Sequence, residues 1–497
     1  VVRHKVTVDG LIFAASLFGA LLLDGLVRPR AAGRRWLSGR SLSGVWLLVW
    51  LTTVLFGLFL AASGNAPVAG GLTIALLGLF VVVSNAKNTV LGEPLLFSDL
   101  ALIGAIFRHP QFYLSAIKIR QRVAAAVILA ALLASLGWLF VPAPRSHLIG
   151  CGMLLGGLGV LALSWRCAPF RRLAPVPAAD ADVQRHGLLP TLLLYWLRWR
   201  ASRDPPPPTN IARQPLAAAP ELVVVIQCES FADPVELFGD ARHALPGLAA
   251  ARNSAMQWGR LEVSGFGAYT MRTEYGVLFG RDDAALGFRR YDPFLTALGE
   301  TSYALPARLN DAGWRSVFAH PHDLRFYGRD RIMPAGGFAQ MVGVDCFAPP
   351  APDEGRYVTD AAVADAIVSL AEAATAPTLI YAVTIENHGP WAPDASLGEG
   401  GLTQGYLALV RNSDAMLTTL LDRLAPLGRR SLLVFFGDHR PSIPGVIEPG
   451  GPRDTPYVMV RLDGAGEIVP GDNRQADLTP AGLHHAILAA ILGDAAG

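Results

Sequence analysis

Five stretches, at 11–27, 45–62, 68–86, 123–141 and 148–165, run apolar with almost no charge. Each approaches the roughly 20 residues that a helix needs to cross a bilayer. Five such runs within about 170 residues leave almost no polar face for water, which disfavours a set of buried core helices. A cleaved leader would account for the first run alone, and Arg28-Pro29-Arg30 stands where a small-residue cleavage site would be. The sequence therefore predicts an α-helical membrane domain of about five spans over residues 1–170.

Charge divides the chain in the same place. Only 16% of the 497 residues are charged, against roughly 25% in soluble proteins. That excludes a disordered chain or one that coats nucleic acid, and no nucleic-acid partner is expected. Residues 1–200 hold 19 basic and 6 acidic side chains, whereas 201–497 hold 23 and 34. A basic, apolar first part joined to an acidic second part implies two bodies in two solvents. Between them, residues 171–220 read as an interfacial helix and a linker. The helix is at 187–199, where Leu, Tyr and Trp alternate with arginine. The linker follows as Asp204 and four prolines. A second interfacial piece is expected at 95–107, too short to span. The loops at 28–40 and 87–122 each carry five positive charges, which by the positive-inside rule puts them in the cytoplasm. With five spans, the second part would then be cytoplasmic too.

From residue 221 to 497 the pattern changes to short apolar runs alternating with helical stretches. Strands are predicted at 222–227, 316–319, 378–384 and 432–436, and helices at 303–312, 359–373 and 406–424. This alternation implies an α/β domain with a mainly parallel sheet, whose chemistry gathers beyond the carboxyl ends of the strands. Those ends carry Cys228-Glu229-Ser230, His320-Pro321-His322-Asp323, Glu386-Asn387-His388 and Gly437-Asp438-His439. Glu229, Asp438 and His439 form an oxygen and nitrogen donor set suited to Mn, Mg or Zn. A glycine-rich turn at 265–269 enters an apparent helix at Thr270. Thr270 or Thr273 can be a simple N-cap. Alternatively Thr270 is a nucleophile, activated by a metal, at a helix N-terminus that receives an anion. Cys228 and Cys346 are compatible with a bridge but do not require one. A strand-end Cys228 is expected to pack as a small apolar residue.

Taken together, the strings Glu229-Ser230-Phe231, Gly-x-Gly-Ala-Tyr-Thr-x-Arg-Thr-Glu at 265–274, His320-x8-Arg329, Glu-Asn-His-Gly-Pro-Trp at 386–391 and Gly-Asp-His-Arg-Pro at 437–441 resemble the lipoteichoic acid synthase and phosphoglycerol transferase branch of the alkaline phosphatase–sulfatase superfamily. The resemblance extends to the architecture of five spans, interfacial helix and extracytoplasmic catalytic domain. It implies one divalent metal, Mn or Mg first and Zn also admissible, held by Glu229, Thr270, Asp438 and His439, with Thr270 as nucleophile. His320, Arg329 and His388 would hold the phosphate and glycerol of the substrate. The implied reaction moves a phosphoglycerol group from phosphatidylglycerol to Thr270 and then to an acceptor hydroxyl.

The turn before the threonine is one residue longer than in Gram-positive members, although counting back from Glu274 still lands on Thr270. With only three lysines and many arginines and alanines, the chain suggests a Gram-negative source with a periplasmic or cell-surface glycan or polymer as acceptor. The resemblance thus sets the catalytic domain in the periplasm, anchored to the inner membrane, against the charge count. Phosphoethanolamine transfer, or a sulfatase- or phosphatase-type hydrolysis, is the alternative within the superfamily. Within residues 221–497 no Cys/Ser-x-Pro-x-Arg string, which formylglycine sulfatases need, occurs; the one at 167–171 lies ahead of the expected catalytic domain. A catalytically silent sensor that keeps the fold is the rival outside enzymology.

Overall fold

The computed structural model describes residues 2–29, 40–101, 139–208, 219–351, 355–391 and 398–493, with isolated positions between 123 and 134. It divides into two compact units, Val1–Ser202 and Arg203–Gly497.

The first unit is helical: α1 (Val2–Asp24), α2 (Leu42–Ser63), α3 (Ala66–Leu91), α4 (Pro144–Arg166) and α5 (Leu188–Ala201). Among the described residues, α2, α3 and α4 are long and apolar enough to cross a membrane. They contain the expected runs at 45–62, 68–86 and 148–165, and the first run lies largely within α1. The run at 123–141 lies outside the described residues apart from isolated positions, so the expectation of about five spans stands as three here. Helices α2 and α4 approach backbone to backbone. A Cβ placed on Gly150 would sit 2.3 Å from the Ala61 amide nitrogen, the kind of contact that small residues permit between helices in lipid.

The stretch 187–199, expected as an interfacial helix, is helical as α5, with Arg198 and Arg200 in its last turn. A polar clamp ties its start to the spans. The Asp24 carboxylate accepts from the Leu188 amide at 3.0 Å and pairs with Arg40 Nε at 2.8 Å. Arg40 also donates to the carbonyls of Val183 and Gln184. Of the second interfacial piece, only residues up to 101 are described. They include the short helix Phe97–Ala101, whose Phe97 stacks on Trp199 at 5.5 Å between ring centroids.

The second unit is built on one eight-stranded sheet: β1 (Leu222–Cys228), β2 (Gln257–Leu261), β3 (Arg315–Ala319), β4 (Gln340–Val342), β5 (Thr378–Val383), β6 (Ser431–Gly437), β7 (Thr455–Leu462) and β8 (Arg474–Gln475). Their order is β4-β3-β5-β1-β6-β7-β2-β8. The four predicted strands are β1, β3, β5 and β6, and they lie side by side in parallel. The sheet as a whole is mixed, because β7 runs antiparallel to both β6 and β2. Strands β1, β5 and β6 are buried along their whole length, which explains why they read as uninterrupted apolar runs instead of alternating ones.

The helices that matter to the site are α6 (Thr270–Phe279), α7 (Arg329–Ala335), α8 (Asp360–Glu372), α9 (Gly398–Leu424) and α10 (Pro480–Leu492). Alternate β1 residues Leu222, Val224, Ile226 and Cys228 share one apolar core with Val363 and Ile367 of α8 and Leu417 and Leu420 of α9, while α6 packs against α10. All four cysteines are free, and Cys228 is buried in that core.

Candidate active site

Register brings the acidic ends of two strands together. In the parallel β1–β6 pair, Cys228 lies opposite Gly437, so Glu229 and Asp438 leave the sheet side by side. The approach is close: a Cβ on Gly437 would fall 1.9 Å from the Phe231 carbonyl oxygen, and only glycine fits there. Ligand atoms of Glu229, Asp438 and His439 lie within 4.8 Å of one another, all buried. His439 Nε2 is 3.5 Å from Glu229 Oε1 and 3.5 Å from Asp438 Oδ2.

The donor set fits a cation. His439 Nδ1 is 3.1 Å from the Arg440 carbonyl, which can only accept, so Nδ1 carries the proton and Nε2 of the neutral ring presents a lone pair. Asp438 Oδ1 accepts from the Ser230 and His439 amides at 2.8 Å each. Its Oδ2 is buried without a hydrogen-bond partner. Glu229 Oε1 accepts from the Ser230 hydroxyl at 2.8 Å, and the Glu229 amide donates to Thr384 Oγ1 at 3.0 Å. Two carboxylates and an imidazole lone pair converging in a buried space are unstable together without a positive charge among them. Accordingly, burial and then the neighbouring Glu229 raise Asp438 to about 6. For His439, burial acts downward, but Asp438 and Glu229 outweigh it and hold the ring above its usual value.

Thr270 is the first residue of α6 and is 7% exposed. Its hydroxyl lies close enough to the Asp438 carboxylate to lower that group's pKa against the stronger upward effects. Tyr269, which precedes it, has a left-handed backbone with φ 75°. The Arg272 guanidinium lies 3.8 Å over its ring and donates to the Tyr291 carbonyl at 3.1 Å, which stabilises the turn. Ser230, beside Glu229, is also left-handed at φ 50°. Non-glycine residues in this region cost free energy and gather where geometry is dictated by function. Thr273 is otherwise engaged, since its hydroxyl donates to the Asp438 carbonyl at 2.7 Å.

The remaining strand-end residues divide. His320 and Arg329 meet, with Arg329 Nη1 3.3 Å from His320 Nε2. Arg329 makes no surface pair with Asp323 or Asp330. It is 2% exposed and bidentate to Glu274, Nε to Oε1 at 3.0 Å and Nη2 to Oε2 at 2.5 Å. His388 is half-buried, with Nδ1 donating to the Gly389 carbonyl at 2.8 Å and its ring 5.8 Å from Tyr357. Burial pushes it down to about 4, so it is neutral at pH 7. Glu386 is drawn away from the cation cradle. It accepts from the Asp360 amide at 2.6 Å and from Asn412 at 2.8 Å, holding the start of α8 and a side chain of α9. Sequence alone assigns no role to Ser230, Thr384 or Glu274. Ser230 and Glu274 lie inside the motifs, but nothing local shows their partners.

A buried carboxylate–imidazole cradle beside a hydroxyl at a helix N-terminus, all beyond the carboxyl ends of an α/β sheet, defines a class of metal-dependent phosphoryl- or sulfuryl-transfer proteins. The sulfatase family profile matches residues 221–487. A capsular polysaccharide biosynthesis protein of Rhizobium meliloti, RkpI, is 30% identical over 457 residues, covering 86% of this chain and 83% of its own. The chain belongs to the sulfatase family of the alkaline phosphatase superfamily, as the motifs implied, and has a Gram-negative relative, as its composition suggested. The integral membrane lipooligosaccharide phosphoethanolamine transferase EptA of Neisseria meningitidis shares the fold, with 14% identity, TM-score 0.59, and coverage of 97% of this chain and 95% of its own. The phosphoglycerol transferase GacH of Streptococcus pyogenes aligns over 57% of this chain and 77% of its own, with 18% identity and TM-score 0.45.

Proposed function

We propose that the protein is a phosphoglycerol transferase that takes the headgroup of phosphatidylglycerol onto Thr270 and passes it to a glycan or polymer hydroxyl outside the inner membrane. The observation that carries this reading is the convergence of Glu229, Asp438 and His439 beside the Thr270 hydroxyl. These four residues would hold one divalent metal, with Mn or Mg preferred by the oxygen-rich donor set and Zn admissible. A cation bound there would supply the positive charge that lowers the hydroxyl pKa and offsets charge on phosphoryl oxygens.

The residues of the chain do the rest. Asp438, beside the Thr270 hydroxyl, orients the oxygen for in-line attack. The Thr270 oxygen gives up its proton to water and bonds to phosphorus as the bond to the diacylglycerol oxygen breaks, and that oxygen takes a proton from water and leaves as diacylglycerol. Amides of the first turn of α6 face the anionic group. His388, neutral and with Nδ1 committed to a carbonyl, offers Nε2 as an acceptor for a glycerol or acceptor hydroxyl. His320 and Arg329 line the phosphate side. In the second step the acceptor hydroxyl attacks the same phosphorus and releases Thr270.

A lipid donor accounts for joining this domain to apolar helices, and the motif set favours glycerol over ethanolamine. The capsular polysaccharide relative supports a glycan acceptor, and so a periplasmic site despite the basic loops. The test uses full-length protein in detergent with fluorescent phosphatidylglycerol and, separately, phosphatidylethanolamine. Manganese-dependent diacylglycerol release from the first, lost on chelation and in Thr270→Ala with unchanged melting temperature, is expected. Release only from phosphatidylethanolamine would overturn the glycerol assignment, and turnover by T270A would remove Thr270 from the mechanism.

A further inference from the structure

We infer that Glu274 is a positioning residue for this transfer, acting through Arg329 on His320. The inference rests on the reading above and adds a residue that reading does not use. Glu274 lies one turn after Thr270 on α6, so the two share a helix face. It is fully buried and grips Arg329 by two parallel bonds of 3.0 and 2.5 Å. A planar guanidinium held on two edges by one carboxylate has its orientation fixed.

What remains of Arg329 is Nη1, which points at His320 Nε2 across 3.3 Å. Arginine can only donate, so Nε2 is the acceptor. His320 Nδ1 in turn donates to the Val383 carbonyl at 2.9 Å, at the end of β5. Both ring nitrogens are thereby assigned and the ring is locked in its neutral form. The chain Glu274–Arg329–His320–Val383 joins the nucleophile helix to the carboxyl ends of β3 and β5, through one link of 55 residues from Glu274 to Arg329 and one of 63 from His320 to Val383. The Arg329 charge is matched internally by Glu274, so Arg329 serves as an oriented donor at the phosphate side and adds no net charge to the site.

The experiment compares full-length wild type, Glu274→Gln, Glu274→Asp, Arg329→Lys and the E274Q/R329K double variant, in detergent with manganese. Two readouts are taken: kcat and KM for diacylglycerol release, and diethylpyrocarbonate labelling of His320 located by mass spectrometry. E274Q keeps the side-chain volume and still offers Arg329 one acceptor oxygen. Its expected kcat falls about 10- to 100-fold with KM within about threefold, a range typical of a lost transition-state contact. E274D recovers part of the loss, and the double variant is no worse than R329K alone, because the pair acts as a unit. Labelling of His320 rises at least about threefold in E274Q, as Nε2 loses its fixed donor, while His388 labelling stays constant.

Unchanged kcat in E274Q, independent multiplying losses in the double variant, or His320 labelling equal to wild type would each overturn the inference. If wild type itself releases no diacylglycerol, the functional reading fails, and the labelling alone then decides the role of Glu274.

Discussion

Replacing Asp438 by asparagine should stabilise the metal-free protein while abolishing its response to metal. Asp438 is fully buried, and its carboxyl is raised from 3.8 to about 6, first by burial and then by Glu229. A raised acid pKa is a penalty that is absent below pH 3.8 and complete above pH 6. Two units correspond to about 3 kcal/mol at pH 7.5 and to roughly a third of that at pH 4.5. Asparagine keeps the oxygen that accepts from the Ser230 and His439 amides. It also turns a donor toward His439 Nε2, 3.5 Å from the present Oδ2. We expect D438N with chelator to melt about 2–8 °C above wild type at pH 7.5, from ~1–3 kcal/mol recovered in a body of this size. The gap should shrink by more than half at pH 4.5. Manganese at about 100 times its Kd should raise the wild type by ~2.7 kcal/mol and leave D438N unmoved. The assay is differential scanning fluorimetry of full-length protein in detergent across pH. A D438N variant that melts below the metal-free wild type, or that still shifts with manganese, would refute the reasoning.

Two further outcomes are expected. Gly437→Ala drives a methyl to 1.9 Å from the Phe231 carbonyl oxygen, so it should cost about 3 kcal/mol or more and separate Glu229 from Asp438. Retained metal-induced stabilisation in G437A would contradict the close approach of β1 and β6. His484, whose Nδ1 donates to the Val277 carbonyl at 2.9 Å, is pushed down to about 3 by burial and then by the charge of His485. Its stabilising effect is therefore complete above pH 6.5 and is lost as pH falls toward 3, about 2 kcal/mol of it by pH 5. His484→Asn keeps a donor but does not titrate. The stability of wild type relative to H484N should therefore fall between pH 7.5 and 5, whereas a constant difference in chemical denaturation would dismiss the effect.

The parts of this fold that were legible are those in which one segment carries its own signal. Strands β1, β5 and β6 are apolar runs because both faces of the sheet are covered, β3 keeps a shorter run after Arg315, and the residues that follow all four advertise their chemistry. Strand β7, Thr-Pro-Tyr-Val-Met-Val-Arg-Leu, has a proline as its second residue and contains Arg461, and β2, Gln-Trp-Gly-Arg-Leu, has no apolar run at all. Both owe their place to their neighbours. The site divides in the same way. The grouping of Glu229, Asp438 and His439 follows from strand ends in one register. By contrast, the Glu274–Arg329 pair spans 55 residues, and the diversion of Glu386 to the start of α8 depends on where that helix packs. Contacts of that kind have no local pattern to read.

The central claim is that Thr270 carries the transferred group, and rapid-quench mass spectrometry of the manganese-loaded protein after mixing with phosphatidylglycerol tests it most directly. The account predicts one glycerol phosphate on the peptide containing Thr270, fragmenting to that residue and disappearing when an acceptor is added. Diacylglycerol release with Thr270 unmodified at every quench time, or a label on Thr273 or another residue, would contradict it.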